Sequence, residues 1–518
     1  MKANTSILPP TIEDLPEDIL VHILSFLPTL DANCTSILAR SWRNLWHQVP
    51  GLRFDILPFY KKSSQIYSPA RASFADSVWR AFFLLPPHRP LKYFQLAFHH
   101  ADFGNREMEI RSWIRSALRR GVLKLELRFY SQPWMEVRPR TWRTYFEDWR
   151  YIENMSETFE FLFLNIMNSS VTEVQLHNCA FSFPSNVSAG FESLKILVLR
   201  DVLLTHKHQI ECLVLLCVNL EILQLESIQN TGVDEFRIHL KRLKKLTLKG
   251  HFRLDDFDDS ALLLMDIDTP ELLSLTVVDF GVGFSSIRLN VPSLVEADFD
   301  FFSRRYSSNF DLWHSFLIYF QGVERLRIHN MWRFPVNYSL SIDLQPKMLP
   351  TFSYLKKLEL ITGFAENDRL GIFDFLEASP MLEMIIMDYD LTVGWFDYDG
   401  FHDNDVQMDN NFIDLKIPRL KEIKLTNYRN SRNERYLVEM FKANKVILEK
   451  IVAVPPKCFG KSPSSPIVLW ESKPLALVRL SLCGPITSFF QFHMNNRGNH
   501  HAYVLFLAGN EKIHRTIY

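Results

Sequence analysis

Two short segments of the sequence carry residues that could bind a metal ion or a phosphate, and each lacks part of the spacing that this chemistry needs. Residues 397–409 are rich in Asp and could offer oxygen ligands to calcium, but the Gly comes too early and position twelve is Met408 rather than Glu. Gly460-Lys461-Ser462 lacks the upstream Gly of a phosphate-binding loop, and Pro463 interrupts the helix that such a loop requires. Both segments are interpreted as solvated loops, with no metal and no cofactor.

Cys, Ser, His and Glu, which form many catalytic and metal sites, do not occur in this sequence at the spacing of the common catalytic motifs. The six cysteines form no Cys-x-x-Cys motif, which argues against a zinc site and against thioredoxin-like chemistry, and the sequence contains neither Gly-x-Ser-x-Gly nor His-Glu-x-x-His. Six thiols in 518 residues suit buried, small apolar side chains in a reducing compartment. The sequence therefore predicts a protein that is not an enzyme, in the cytoplasm and/or the nucleus.

The balance of charge excludes binding modes that depend on a strong overall field. Lys and Arg number 58 and Asp and Glu number 59, for a formal net charge of -1. Such a chain has no general attraction for nucleic acid or for an anionic membrane, and its longest apolar stretch, residues 212–218, is too short to cross a bilayer. Residues 133–150 interleave Trp and Arg, which can stack on single-stranded nucleic acid, but an insertion packed onto the fold is the simpler interpretation. The expected partners are proteins, without nucleic acid or membrane.

The first fifty residues predict three short helices that stand apart from the rest of the chain. The first follows Pro16, whose fixed φ suits the first helical position, and it stops at Pro28. A second helix is predicted over residues 32–39 and a third over residues 42–49, each preceded by a residue that can cap it.

The first of these helices carries apolar side chains on two faces, and only His22 and Ser25 are polar in its middle. One face can pack on the second and third helices. Three helices in about 40 residues bury too little surface to cover the other face as well. That face must meet another body, which is either the chain's own downstream domain or a partner protein.

The same residues resemble the F-box of plant F-box/leucine-rich-repeat proteins, through Leu15-Pro16, the run Ile23-Leu24-Ser25-Phe26-Leu27-Pro28, and the paired tryptophans. The resemblance implies that the module binds an Skp-type adaptor and, through it, a cullin. It also implies which residues face the adaptor, namely Leu15, Pro16, Ile19, Ile23, Leu27, Trp42 and Trp46. For the two tryptophans a second interpretation stays open, as internal core of the module.

After residue 90 the sequence repeats a triplet of apolar residues. The three residues stand at positions i, i+3 and i+5. The triplet occurs thirteen times, from Leu91-Phe94-Leu96 to Leu448-Ile451-Ala453. Each block opens with a period-two stretch, which is typical of a strand, and the usual interval of roughly 22 to 32 residues is the period of a leucine-rich repeat. The alternative of an ordinary α/β protein is disfavoured by this short period and by the lack of Gly-rich phosphate loops.

The ninth position of each repeat, which regular leucine-rich repeats fill with Asn or Cys, is irregular in this chain. It is Cys179 in one block, and in others it is Val202, Ile228, His251, Phe280 or Met331. The array is therefore predicted to lack a continuous asparagine ladder.

The predicted fold is of the α/β class, with a short N-terminal three-helix F-box followed by an irregular leucine-rich-repeat solenoid with parallel strands. Near its end, residues 420–428 and the helical run after them resemble the FBD region that follows the repeats in many plant F-box proteins. The predicted boundaries are 11–51 for the F-box, 52–90 for a linker and first cap segment, 91–415 for the repeats, 416–455 for FBD-like last repeats and 456–518 for a C-terminal tail.

Two neighbouring blocks of the array each carry side chains of a single charge type at the strand positions that face the surface, acidic in the first block and basic in the second. The first offers Glu296, Asp298 and Asp300, and its successor offers Arg325, Arg327 and His329. If the strands are in register, these stripes lie about 4.8 Å apart on the concave face, where they are candidates for binding a target of complementary charge. The other interpretation is cross-strand ion pairing that stabilises the sheet and binds no partner.

The function that the resemblance implies is that of a substrate-recognition subunit of an SCF-type cullin ubiquitin ligase. The F-box docks the adaptor, the repeats bind a target protein, and other subunits transfer ubiquitin. Two alternatives stay open: a small-ligand receptor of the F-box/leucine-rich-repeat type, and a scaffold that binds proteins outside a ligase. A hydrolase that uses the acidic residues 397–409 is a third.

Overall fold

The structure is a computed structural model, which divides into two compact units, Met1–Trp470 and Glu471–Tyr518. It describes residues 12, 15–60, 67–86, 89–99, 107–130, 159–162, 166, 169–183, 191–204, 209–230, 235–250, 264–278, 287–300, 315–329, 349–362, 366–389, 419–428, 430, 432–443, 448–456, 466–471, 488–494, 500–508 and 511–516.

The first unit begins with a module of short helical segments. Helix α1 spans Glu17–Leu24 and helix α2 spans Thr29–Cys34. Three 3-10 turns follow, at Thr35–Ile37, Arg40–Trp42 and Leu45–Gln48.

The structure corrects the predicted boundaries of the second and third helices. Helix α2 starts before residue 32, because Pro28 takes the cap position with the extended backbone that precedes a helix. The continuous third helix over residues 42–49 is wrong, since two 3-10 turns take its place. Trp42 ends the first of these turns and Leu45 begins the second, and both side chains are buried.

In the described residues, the rest of the first unit is organised around a sheet of fifteen strands, which includes all thirteen that the triplets predict. Neighbouring strands from the first to the fourteenth run parallel and in register. In spatial order the strands are β1 (Gly51–Asp55), β2 (Tyr93–His99), β3 (Lys124–Tyr130), β5 (Glu173–His177), β7 (Ile196–Arg200), β9 (Ile222–Glu226), β12 (Lys245–Lys249), β14 (Ser274–Val278), β16 (Glu296–Asp300), β17 (Arg325–Ile328), β18 (Lys357–Thr362), β19 (Met384–Tyr389), β20 (Glu422–Thr426), β21 (Lys450–Val454) and β22 (Ile467–Glu471).

Strand β1 extends the array back to Gly51, into the segment 52–90 that the sequence assigns to a linker and first cap. Val49, Leu52 and Phe54 repeat the apolar spacing of the other blocks, and all three are buried. Helices α3 (Leu57–Tyr60) and α4 (Tyr67–Leu84) follow β1 in the same segment. The helical module is therefore joined to the sheet directly.

Two smaller parallel sheets lie in the return segments of the repeats. One consists of β4 (Glu160–Leu162), β6 (Ala180–Ser182), β8 (Leu203–Leu204) and β10 (Gln229–Asn230), and the other of β11 (Glu235–His239), β13 (Leu264–Asp268) and β15 (Ile287–Asn290). The helices of the return segments are α5 (Glu107–Arg119), α6 (Gln209–Leu216), α7 (Glu366–Glu377) and α8 (Arg432–Ala443). Helix α8 connects β20 to β21, so the FBD-like region continues the main sheet. The second unit holds an antiparallel sheet of β23 (Ser488–Met494), β24 (His500–Ala508) and β25 (Glu511–Thr516).

The corner after a strand is often made by a residue in the left-handed backbone region. Asn178, Asp201, Ser227 and Gly250 follow β5, β7, β9 and β12 with φ values of 55°, 51°, 52° and 79°, which Gly, Asn and Asp adopt most readily. Each donates its backbone N–H to the last carbonyl of the next strand, at 2.8, 2.9, 2.7 and 2.9 Å respectively. This backbone ladder lies one position before the ninth residue of the repeat.

Of the ninth positions named from the sequence, the three that the structure describes are apolar and buried. Cys179, Val202 and Ile228 are fully buried, whereas His251, Phe280 and Met331 lie outside the described residues. The corners of these repeats are thus held by backbone hydrogen bonds in the place of an asparagine side-chain ladder.

Candidate functional site

Helix α1 divides its apolar side chains between two environments. Leu20 and Leu24 are buried and pack against the 3-10 turn Leu45–Gln48. Leu15, just before the helix, and Ile19 are 39% and 42% exposed. The module therefore uses one apolar face for its own core and leaves another open, as the sequence predicts.

The open apolar surface of the module is larger than α1 alone. Phe26, Ile37 and Leu38 are 66%, 85% and 70% exposed, in the segments after α1 and α2. We call the exposed residues Ile12, Leu15, Ile19, Phe26, Ile37 and Leu38 the apolar docking set. Single exposed apolar residues are ordinary, but a concentration of large ones in one small module is typical of an interaction site.

The seven residues predicted to face an adaptor divide into three groups. Leu15, Pro16 and Ile19 are exposed, and Ile23 and Leu27 are half-buried. Trp42 and Trp46 are each 5% exposed and belong to the core of the module, so the internal-core interpretation describes them.

The sequence prediction missed four members of the apolar docking set, which are Ile12, Phe26, Ile37 and Leu38. For Ile37 and Leu38 the sequence did contain a signal. They are consecutive apolar residues after the polar pair Thr35-Ser36, and one short turn cannot direct both side chains into the core.

The array contacts the module away from the exposed residues of α1. Thr29 Oγ1 accepts a hydrogen bond from the backbone N–H of Arg53 at 2.7 Å, and the hydroxyl of Tyr93 donates to the carbonyl of Ser25 at 3.0 Å. The Arg53 guanidinium lies 4.5 Å from the centre of the Tyr93 ring, a cation–π contact that further ties the two together. Among the described residues, these contacts of the array involve the segments after α1 and at the start of α2 and none of the exposed residues of α1.

The predicted register of the two charged stripes is confirmed. Glu296 on β16 pairs with Arg325 on β17, and Asp298 pairs with Arg327. His329 follows β17 directly and its N–H donates to the carbonyl of Phe299. The stripes therefore lie side by side on the open face of the sheet, by which we mean the face whose alternate strand residues point away from the core.

Contacts across the strands engage most of these side chains. Arg325 pairs with Glu296, His329 Nε2 lies 2.8 Å from Asp298 Oδ1, and Arg327 Nε lies 3.3 Å from Glu359 Oε1 on β18. Asp300 is the last residue of β16. These contacts are the ones that cross-strand stabilisation requires, and recognition of a target by the same residues stays a prediction.

The open face near β3, β5 and β7 combines two arginines with a neutral histidine. His177 lies in register between Arg128 and Arg200. Burial, together with the positive charge of both arginines, lowers the pKa of His177 to about 4, so the imidazole is uncharged at neutral pH. Nearby, the Tyr130 hydroxyl donates to Asp55 Oδ2 at 3.1 Å, and burial and this carboxylate raise the pKa of the phenol.

Comparison with known proteins identifies both parts of the chain. A family model described as At1g61320/AtMIF1, LRR domain, matches residues 88–454, and the F-box domain model matches residues 12–54. The first match covers more than half of the chain. The chain belongs to the plant F-box/leucine-rich-repeat family.

Relatives in Arabidopsis thaliana share this architecture. The FBD-associated F-box protein At1g66310 is 27% identical over 73% of this chain and 76% of its own length. The F-box/LRR-repeat protein At4g14096 is 32% identical, over 56% of this chain and 54% of its own length. The F-box/FBD/LRR-repeat protein At3g49030 is 30% identical over 72% of each chain. The prediction of an F-box, an irregular repeat array and an FBD-like region is confirmed.

The remaining features to consider in this F-box/leucine-rich-repeat protein are metal-binding groups, membrane-spanning helices and the three segments singled out in the sequence. Among the residues that the structure describes, no group of three or more His, Cys, Asp and Glu side chains is placed to hold a metal ion. No helix in that part of the chain is long and apolar enough to cross a membrane. The acidic segment 397–409, residues 460–462 and the Trp/Arg-rich stretch 133–150 lie outside the described residues.

Proposed function

We propose that this chain is the substrate-recognition subunit of an SCF-type cullin ubiquitin ligase. The observation that carries the proposal is the apolar docking set of the F-box, which the array leaves exposed. In this function the F-box binds an Skp-type adaptor, the adaptor links the chain to a cullin, and the repeats bind a target protein. The chain supplies proximity, because holding the target beside the ligase raises the effective concentration of its lysines there. It needs no catalytic residue and no cofactor of its own.

The adaptor interface that we propose is centred on Leu15, Pro16 and Ile19. Burying their apolar surface against a partner is favourable at about 25 cal/mol per Å², and Ile37 and Leu38 add to that surface. Ile23 and Leu27 lie half-buried beneath it, and Trp42 and Trp46 support it from the core without direct contact.

The cytoplasm or the nucleus is the compartment that we propose for this activity. The cysteines that the structure describes, Cys34, Cys179, Cys212 and Cys217, are all free thiols. Free thiols are the usual state in a reducing compartment, and burial raises the pKa of Cys179 and Cys217, so both stay protonated and unreactive.

Replacing both Leu15 and Pro16 with Ala is expected to weaken adaptor binding by roughly thirtyfold or more, since truncating an anchor in a buried interface costs about 1–2 kcal/mol or more for each residue. The full chain is co-expressed with an Skp-type adaptor, and the affinity of the purified partners is measured by calorimetry. Leu273→Ala is the matched control, because Leu273 is 46% exposed but lies on the array. Equal affinity of the double variant and the control would contradict the docking proposal.

For the target-binding face we propose the stripes Glu296, Asp298, Asp300 and Arg325, Arg327, His329, which also stabilise the sheet. Exchanging both Arg325 and Arg327 for Glu places two more negative charges beside Glu296, Asp298 and Glu359. The free energy of unfolding is expected to fall by about 1–2 kcal/mol, because half-exposed pairs contribute below about 1 kcal/mol each and like charges across strands repel by a similar amount.

The measurement is chemical denaturation, with Lys424→Glu as the control, since Lys424 on β20 lies between Ile386 and Val452 and makes no ion pair with a described residue. A double variant as stable as wild type would show that the pairs do not support the fold. Loss of a captured target at unchanged stability would then assign the arginines to recognition.

A further inference from the structure

One repeat of the array is strongly basic. Residues 241–249 contain five cations and no acidic residue, although the whole chain is neutral. The cations are Lys241, Arg242, Lys244, Lys245 and Lys249. This repeat supplies β12, the seventh of the fifteen strands in the sheet.

Three of these cations precede the strand, and two of the three are already engaged. Lys244 Nζ lies 2.8 Å from Glu221 Oε2, and Arg242 donates to the side-chain oxygen of Asn219 at 3.0 Å. Lys244 belongs to a row of alternating charges at the start of the strands, in which Glu221 also pairs with Lys195 at 3.1 Å. This row joins neighbouring repeats and compensates the charge of Lys244, whereas the partner of Arg242 is an uncharged amide.

Lys245 and Lys249 differ, because both lie on the open face and are exposed. Lys245 lies between Ile222 on β9 and Ser274 on β14, neither of which can neutralise it. Lys249 lies opposite Glu226, but that carboxylate is 2.8 Å from Arg200 Nε on its other side. Within the described part of the chain, neither lysine has an ion-pair partner.

The acidic and basic stripes of β16 to β18 provide the contrast. Arg325, Arg327 and His329 each lie against a carboxylate of a neighbouring strand. Charges that are already compensated gain little from a new partner, because binding must first break the existing pair. On the open face, the two lysines of β12 therefore offer positive charge at a lower cost than the arginines of β17.

The surroundings of the lysines suit a protein segment. Ile196, Ile222, Ser274, Thr276 and Val278 are half-buried and uncharged, and Val198 and Thr247 form a buried floor between them. An uncharged centre with charges at its edge is the usual anatomy of a protein–protein interface. A surface that follows nucleic-acid phosphates would continue the positive charge onto the neighbouring strands, whereas Glu226 stands beside Lys249 and the next charged strand, β16, is acidic.

We propose that Lys245 and Lys249 recognise an acidic segment of the target protein, with its carboxylates on the two ammonium groups and its uncharged side chains on β9 and β14. The two lysines are four residue steps apart along the strand, which is roughly 13 Å. An extended segment that runs along β12 therefore meets both with acidic residues four positions apart. This inference rests on the proposed function as a substrate receptor and adds the chemistry of the target.

The test uses the full chain and a fluorescent twelve-residue peptide of Ser and Val with Glu at every fourth position. Binding is followed by fluorescence anisotropy at low ionic strength, where charge pairs contribute most. A double variant, Lys245→Ala with Lys249→Ala, is expected to bind the peptide roughly tenfold more weakly than wild type. The matched control replaces Lys357 and Lys450 with Ala, because these open-face lysines already lie 3.9 Å and 3.1 Å from carboxylates; it is expected to change the affinity by less than about twofold.

Three results would overturn the inference. They are no binding of the acidic peptide by wild type, equal weakening in both double variants, and tighter binding of a single-stranded oligonucleotide of the same charge. Adaptor affinity is measured separately on the same variants and is expected to be unchanged. If the wild-type chain did not bind the adaptor, that result would contradict the proposed function. It would not change the conclusion from the peptide experiment.

Discussion

Replacing Trp42 with Ala is expected to lower the free energy of unfolding of the F-box by about 3–5 kcal/mol, the usual cost of removing a large buried aromatic side chain. Trp42 is only 5% exposed and lies in the same core as Leu20 and Leu45. The module is small, so its other short helical segments have little additional packing with which to fill the cavity. Hydrogen exchange of peptides that cover residues 15–50 measures the effect, as a loss of protection confined to the F-box.

The control for this prediction is Ile37→Ala. Ile37 is 85% exposed, so the substitution is expected to leave exchange protection within about 0.5 kcal/mol of wild type while it weakens adaptor binding. The pair of variants separates folding from docking. If Trp42→Ala retained full protection and still lost the adaptor, the tryptophan would be a contact residue and its assignment to the core would be refuted.

Gly51→Ala is expected to destabilise the junction between the F-box and the array by about 3 kcal/mol, near the upper end of overpacking effects. A Cβ atom at Gly51 would lie 2.5 Å from the ring of Tyr93 and 2.5 Å from the Tyr93 carbonyl oxygen. The ring could turn away only by giving up its hydrogen bond to Ser25 and its contact with Arg53. The carbonyl belongs to the backbone of β2, so relief of this contact requires β1 and β2 to separate.

Gly322→Ala provides the control for this second variant. Gly322 lies in the turn before β17, and a Cβ atom there meets nothing within 4 Å. The control is expected to be neutral or stabilising by up to about 1 kcal/mol, because Ala restricts the unfolded chain more than Gly does. Hydrogen exchange of residues 51–55 and 93–99 reports on the junction. Wild-type protection in Gly51→Ala would mean that the two strands tolerate a wider spacing.

The positions of the strands could be predicted from the sequence alone. Each apolar triplet lies within a few residues of the sequence. Two of its residues must enter the core of the same repeat, and the alternation of side chains along a strand determines which two. The same spacing in Val49, Leu52 and Phe54 marks β1 and was available in the sequence. The register of β16 and β17 was predictable for the same reason, since repeats of one architecture stack with equivalent positions side by side.

The sequence also determined which side chains lie on the two faces of α1. It did not determine which residues outside α1 share its exposed apolar surface. Whether Trp42 points inward and Ile37 outward depends on how the chain divides into 3-10 turns after α2. The turn Leu45–Gln48 packs against α1, which lies much earlier in the chain, and the turn Thr35–Ile37 packs against α2 and against both later turns. Local spacing alone could not separate the core tryptophans from docking residues.

Partner choice among the charges was decided only by the tertiary structure. Arg327 lies between Asp298 and Glu359 and pairs with Glu359, while His329 takes Asp298. Glu226 lies between Arg200 and Lys249 and pairs with Arg200, which leaves Lys249 exposed without a partner in the described residues. Each strand touches two others that are distant in the chain, and a charge with two possible partners pairs according to side-chain reach and geometry. The sequence determines which charges stand on the open face, and the packed sheet determines which of them are free to bind.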